Sequence, residues 1–152
     1  MGNIMKVKDC MCTEVCFAKP ETTIYDISKL MESQGIGCIP VCDGNNSIVG
    51  LVTDRDIVLR AVASGKDIKT TPVSEIMTTN VWCCGIDEDI YEAECKMSTN
   101  QIRRLPVLEN NKVVGIITLG DLAHWDEKIG KEEFCTTVEN ICNCEGQVKN
   151  NK

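Results

Sequence analysis

Two four-residue runs carry the side chains that a sugar and its phosphate would need: Thr53-Asp54-Arg55-Asp56 and Thr118-Leu119-Gly120-Asp121. Each closes a β-branched run with one embedded glycine, Ile48 to Thr53 around Gly50 and Val113 to Thr118 around Gly115. Each then opens an apolar pattern of helical spacing. A strand enters a helix, twice. At such a junction the first helical N–H groups lack partners and carry partial positive charge, which suits a phosphate. A threonine hydroxyl adds a donor, and an ionised aspartate, being acceptor-only, can take both hydrogens of a vicinal diol. The upstream glycine lets another backbone come close. The same Thr-x-x-Asp spacing is also a reciprocal helix cap worth about 1 kcal/mol, with no ligand at all. From the residues alone both readings stay open.

The residues around the two runs are not matched. Arg55 sits inside the first run, where it can pair with phosphate or project into solvent, whereas Leu119 and Gly120 fill the second. Before its central strand the second half carries Arg103-Arg104 where the first has Gly37-Cys38, and strand alternation turns one of those arginines toward the site. Ile39-Pro40 and Leu105-Pro106 lie where backbone groups could read the edge of a base, with Val15, Val81 and Ile102 either as apolar walls or simply as core. Thr22 and Thr23 are further ligand candidates, but their counterparts Glu88 and Asp89 would repel a phosphate. This asymmetry suggests that one of two sites is degenerate.

The elements that must hold these residues come in two copies. Val7-Lys8-Asp9-Cys10-Met11 returns as Val73-Ser74-Glu75-Ile76-Met77, and Ile39-Pro40-Val41 as Leu105-Pro106-Val107, each shifted by 66 positions (7 to 73, 40 to 106). In the first copy Val15-Cys16-Phe17 reads as a short strand. A helix follows, from the capping residues Thr23 and Asp26 through Ile24, Ile27, Leu30 and Met31 to Gly35. Cys38 to Cys42 and Ile48 to Thr53 form an antiparallel hairpin, and a helix runs from Asp54 to about Ser64 with Ile57, Val58, Ala61 and Val62 apolar. The second copy repeats the order with strands Val81 to Cys84, Arg104 to Leu108 and Val113 to Thr118, and helices Ile90 to Asn100 and Leu119 to Asp126. The expected class is therefore mixed α+β, two β-α-β-β-α repeats at 5–65 and 73–126 joined by a polar linker at 66–72. About sixty residues bury too little surface to stand alone, so the repeats should pack together with pseudo-twofold symmetry.

Composition narrows the function further. A chain of 152 residues with 43% hydrophobic and 26% charged residues is globular, while a charge of −7 and only two each of Trp, Tyr and Phe argue against nucleic acid. No apolar run approaches the roughly 18 residues of a membrane span and the N-terminus lacks a secretory core, so a cytoplasmic protein is expected. Eleven scattered cysteines read mostly as small buried hydrophobes in a reducing cell. Cys10 with Cys12 and Cys142 with Cys144 are spaced too closely for a zinc knuckle, so no metal is expected. The single histidine, His124, has no nucleophile or carboxylate assigned to it, and no catalysis is expected. In the tail, 127–152, Phe134, Val138 and Ile141 have helical spacing for packing on the module or a partner, and 146–152 reads as disordered.

Gly50-Leu51-Val52-Thr53-Asp54-Arg55-Asp56 and Gly115-Ile116-Ile117-Thr118-Leu119-Gly120-Asp121 resemble the Gly-apolar-x-Thr-x-x-Asp motif of CBS domains, named after cystathionine β-synthase. Two in tandem resemble a Bateman module, over roughly Met5 to Asp126. The resemblance implies a regulatory module, not an enzyme, with no cofactor of its own. It would bind AMP, ADP, ATP or S-adenosylmethionine between its repeats, form homodimers, and act in trans on an unknown target protein. It further implies that Asp56 and Asp121 accept from ribose hydroxyls while Thr53 and Thr118 bond phosphate or ribose oxygens. The competing reading is a scaffold that only dimerises or holds a partner.

Overall fold

The computed structural model describes residues 4–125 and 134–141. In chain order the elements are α1 (Val7–Cys10), α2 (Ile24–Gln34), β1 (Cys38–Cys42), β2 (Ile48–Thr53) and α3 (Asp54–Asp56), which continues as a π-helical turn, Ile57–Val62. A 3-10 turn (Val73–Glu75) precedes β3 (Cys84–Gly85), α4 (Ile90–Asn100), β4 (Arg104–Glu109), β5 (Lys112–Thr118) and α5 (Leu119–His124). Residues 134–141 are also helical. The mixed α+β class read from the sequence holds. No described helix is long and apolar enough to cross a membrane.

The chain forms two compact units whose boundaries differ from those of the sequence repeats. Unit one takes the described parts of Met1–Glu14, Trp82–Asn110 and Val114–Lys152; unit two takes Val15–Val81 and Asn111–Val113. Each unit thus combines the body of one repeat with the lead segment of the other. In unit two Thr78, just past the second lead, exchanges two 2.9 Å backbone hydrogen bonds with Leu51 of β2. In unit one Cys12 exchanges two of 2.9 Å with Ile116 of β5. Nothing in the local pattern of Val7 to Met11 or Val73 to Met77 specifies this exchange.

The motif glycines make room for it. A Cβ on Gly50 would sit on the Met77 sulfur. One on Gly115 would come within 2.7 Å of the Met11 sulfur and 2.8 Å of the Cys12 carbonyl oxygen. The close approach read from these glycines is real, and the chain that approaches is the exchanged lead.

Within unit two, α2 is capped as its sequence dictates. Thr23 Oγ1 accepts from Asp26 N at 3.2 Å, and Gly35 ends the helix in the left-handed region at φ 64°. Ile24, Ile27 and Met31, one helical stripe, join Ile39, Val41 and Val52 in the core. β1 and β2 pair antiparallel, with Ile39 opposite Val52. The strand expected over Val15-Cys16-Phe17 does not form. Pairing reaches β1 only at Ala18, whose N–H donates to Pro40 O at 3.0 Å and whose carbonyl accepts from Cys42 N at 2.9 Å. Pro20, two residues on, offers no N–H to carry the pairing further toward α2.

The second helix of that repeat also departs from expectation. Winding over Ile57–Val62 is π-helical, with Ala63 N donating to Val58 O five residues back. The wider turn rotates residues off a 3.6-residue stripe. Only Ala61 is buried, while Val58, Leu59 and Val62 are 55%, 52% and 60% exposed.

Unit one holds a three-stranded sheet in the order β3-β4-β5, with β3 parallel to β4, but β3 begins at Cys84 rather than Val81. Asp89 and Glu92 cap α4 reciprocally. Ile90, Ala93 and Met97 pack with Leu105, Ile117 and Leu122. The helix at 134–141 joins this core through Ile141, 3% exposed, and half-buried Phe134. Thr137 Oγ1 donates to the buried Glu94 at 2.6 Å and Asn140 Nδ2 to Ser98 Oγ at 2.9 Å. Of the tail's two destinations the described residues show the module itself, while 146–152 lies outside them.

A substituted methyl at either glycine overpacks its site. Gly115→Ala, pressed against a backbone oxygen that cannot rotate away, is expected to cost about 1–3 kcal/mol. Gly50→Ala, pressed only against a flexible thioether, should cost less and be partly rescued by Met77→Ala. Thermal melts of the three variants check the order, at about 2–4 °C per kcal/mol for a chain of this size.

Candidate functional site

At both strand-to-helix junctions the threonine and aspartate grip each other. Asp56 N donates to Thr53 Oγ1 at 3.2 Å, while Asp56 Oδ2 accepts from Thr53 N at 3.0 Å and from its hydroxyl at 3.1 Å. In the second copy the matching distances are 3.1, 2.8 and 3.0 Å between Asp121 and Thr118. Both pairs are half-buried. Each clasp satisfies two backbone donors that the helix start leaves open, so the capping reading holds in full. It does not exhaust the carboxylates, because each clasp uses Oδ2 alone; Asp56 Oδ1 faces the Arg60 guanidinium, and Asp121 Oδ1 takes no part in the clasp.

The central strand locks on to each junction from the side. Asp54 N donates to Gly37 O at 3.0 Å, and Leu119 N to Arg103 O at 2.8 Å. This brings Arg103 and Arg104 beside the second clasp by their backbone, and Gly37 and Cys38 beside the first. A Cβ on Gly37 would meet an Asp54 carboxylate oxygen at 2.8 Å, so the smallest residue is needed where that acid folds over. Asp54 Oδ1 in turn accepts from Arg55 N at 2.9 Å. The Arg55 side chain is exposed, Arg104 is half-buried, and neither forms an ion pair among the described residues.

Other predicted residues lie elsewhere. Thr22 and Thr23 sit at the N-terminal end of α2, whereas Gly37 and Thr53 lie beyond its C-terminal end. Eleven residues of helix, about 16 Å, separate them. Their hydroxyls are engaged locally, Thr22 Oγ1 accepting from Lys19 N at 3.1 Å and Thr23 capping α2. Strand alternation and helix length together carry the signal that distinguishes the two ends. Their counterparts Glu88 and Asp89 are also occupied, Glu88 by Lys96 Nζ at 2.7 Å and Asp89 by Tyr91 N at 2.9 Å. Ile39 and Leu105 are fully buried core residues, Pro40 and Pro106 are buried, and Pro40 O is spent on Ala18. Only main-chain edges of these strands remain for a base.

One residue escaped the sequence reading. Arg60, four residues past Asp56, places Nε 3.6 Å from Asp56 Oδ1 and donates from Nη1 to Ile76 O at 3.1 Å. The i,i+4 spacing of opposite charges was the available signal. At the corresponding place in the second copy, four residues past Asp121, stands Trp125.

Unit one has a recess of ≈ 730 Å³ lined by residues including Met5, Asp9, Asp89 and Trp125. It contains none of the predicted ligand residues, and its carboxylates already cap Lys6 N and Tyr91 N. No group of three or more His, Cys, Asp or Glu among the described residues is placed to hold a metal ion, and Cys142 and Cys144 lie outside them. The cysteines are more varied than composition suggested. Cys10, Cys38, Cys42 and Cys84 are buried, Cys16 and Cys83 partly so, and Cys12, Cys95 and Cys135 exposed. Burial, with Glu88 adding to it, pushes the Cys84 thiol up to about 12, which leaves it unreactive near neutral pH.

Sequence and fold comparisons agree on the kind of protein this chain is similar to. The family profile described as the CBS domain matches residues 7–62 and 73–128. The CBS domain-containing protein YhcV of Bacillus subtilis (strain 168) is 43% identical over 117 residues, 77% of this chain and 82% of that protein. The crystal structure of Hypoxic Response Protein I, with two coordinated zinc ions, superposes with a TM-score of 0.73 at 29% identity, over 79% of this chain and 98% of that one. The CBS domain pair of protein MJ0100, solved in complex with 5-methylthioadenosine and S-adenosyl-L-methionine, also gives 0.73 at 29% identity, over 82% and 98%.

Each clasp has a structural value that can be measured without any ligand. Thr118→Ala removes the cap hydroxyl and is expected to cost about 1 kcal/mol, and Thr118→Ser to restore most of it. Urea titration followed by circular dichroism checks both, and an unchanged midpoint for the alanine variant would refute the cap.

Proposed function

The chain belongs to the CBS domain family, with two copies in tandem, and from that premise we propose that it is a sensor of adenosine-containing ligands. CBS pair proteins are regulatory. The ligands we assign are AMP, ADP, ATP or S-adenosylmethionine, and the bound state is relayed to a separate target protein rather than to a catalytic site in this chain. The observation that carries the reading is the pre-oriented acid at each junction: a carboxylate fixed by its own cap through Oδ2 presents Oδ1 to a ribose diol, with Arg60 beside it at the first junction and Trp125 four residues on at the second. Because the cap orients it beforehand, no side-chain entropy need be lost when the sugar arrives. Thr53 and Thr118 present hydroxyls beside it, and Arg55, Arg103 and Arg104 supply the cations for phosphate. The complex of MJ0100 with two adenosine derivatives supports the ligand class.

The reciprocal caps also favour a second reading, a scaffold in which Thr and Asp act only on the backbone. The two readings part in a melting experiment. A ligand at a hundredfold excess over its Kd stabilises by about 2.7 kcal/mol, which is roughly 5–10 °C for a chain of this size. We expect such a rise with at least one of AMP, ADP, ATP and S-adenosylmethionine, and its loss when Asp56 and Asp121 are both replaced by Asn. Flat curves across that panel would leave the scaffold.

We further propose that the protein works in the cytoplasm as a homodimer, and that Val58, Leu59 and Val62 form part of the contact with the second copy. Three neighbouring apolar residues more than half exposed on one turn form an apolar patch of the kind that water penalises and a symmetric partner covers. Sedimentation velocity is expected to give a dimer for the native chain and a monomer for Leu59→Asp with Val62→Asp. A native monomer at tens of micromolar would contradict it.

A further inference from the structure

We propose that Met11 and Met77 are a pair of redox latches: each thioether seats an exchanged lead on a motif glycine, and its oxidation by a peroxide to the sulfoxide unseats that lead. Each seat exists only because the residue beneath it carries no side chain. A Cβ on Gly50 would sit on the Met77 sulfur and lie 2.9 Å from its Cγ and 3.1 Å from its Cε, so the whole thioether crosses the bare Cα. A Cβ on Gly115 would lie 2.7 Å from the Met11 sulfur and 3.2 Å from its Cγ. The two methionines stand at equivalent places in the two leads, 66 positions apart (11 to 77). Each packs on the core of its own unit. Next to each sulfur is the pair of backbone bonds that ties the lead to its strand, Thr78 with Leu51 and Cys12 with Ile116, all of 2.9 Å.

Both side chains are half-buried, within reach of a small oxidant, whereas Met31 and Met97 are 7% and 0% exposed. In the reaction a sulfur lone pair attacks one oxygen of hydrogen peroxide and an S–O bond forms as the O–O bond breaks. The proton on the transferred oxygen passes to the departing one, which leaves as water; sulfur loses two electrons and the peroxide gains them. The product is larger by one oxygen and polar where the thioether was apolar. A seat too tight for a methyl group has no volume for that oxygen. It has no donor to offer at the Gly115 seat either, because the polar atom that shares this seat, Cys12 O, is an acceptor already used by Ile116 N. Leaving the glycine for water is the cheaper course for the sulfoxide, and the edge of the lead leaves with it.

Treating the full chain with hydrogen peroxide, then with dithiothreitol to return cysteine disulfides to thiols, tests this. Peptide mass mapping is expected to find one added oxygen on Met11 and on Met77 and none on Met31 or Met97. The melting temperature should fall by about 5 °C or more. Amide hydrogen exchange should quicken in the peptides that contain Cys12, Leu51, Thr78 and Ile116. The two methionine sulfoxide reductases, one for each sulfoxide epimer, should together restore both readings with dithiothreitol as reductant. Met11→Leu with Met77→Leu keeps the volume without the sulfur and should melt at the same temperature before and after peroxide. If that double variant does not fold, reductase rescue and the exchange map decide. Either methionine left unmodified, both modified with melting and exchange unchanged, or an equal fall in the leucine variant overturns the latch.

Discussion

The reciprocal bond between a threonine and the aspartate three residues on is the constraint from which both halves of this protein follow. It fixes the residue at which a strand stops and a helix begins, at Thr53 and again at Thr118, by satisfying donors on both sides of the junction. With that point set, the glycine three positions upstream falls opposite the lead segment, and the entry of the central strand falls beside the first helical amide. One local interaction therefore fixes the position of three pieces of chain that are distant in sequence.

What could be read from the sequence was what is settled locally. The Thr23 cap, the Gly35 stop, the Asp89–Glu92 cap and the β1–β2 hairpin each depend on residues within a few positions, and all are present. The junctions themselves were legible both as caps and as ligand residues, because one geometry serves both. What escaped was non-local or register-dependent. Two lead segments of similar sequence carry no mark of which sheet each joins. A π-helical turn moved Val58 and Val62 out of the expected stripe, and Thr22 and Thr23 matched the chemistry of a ligand residue but fell at the far end of α2.

The departures between the copies are as informative as their likeness. Exchanging Arg60 for Trp125, Asp54 for Leu119 and Gly37 for Arg103 leaves the clasp distances nearly unchanged, within a few tenths of an ångström. The fold is thus insensitive to the residues that would set affinity for an anion. Such separation of scaffold from periphery lets one copy change its chemistry while the other retains its own.

The exchange of lead segments leaves 66–72 as part of unit two rather than a linker between independent domains: Thr71 O and Ile68 O accept from Ile24 N at 3.1 Å and Tyr25 N at 2.9 Å, and Ile68 packs on the core. Residues 7–14 complete the unit built on 82–125, and residues 73–81 complete the unit built on 15–72. A proteolytic cut within 66–72 would produce two fragments, each carrying a strip of the other's interior. Such fragments are complementing halves of a single folding problem: neither is whole until the other is present, and their reassembly is bimolecular where the intact chain's is not.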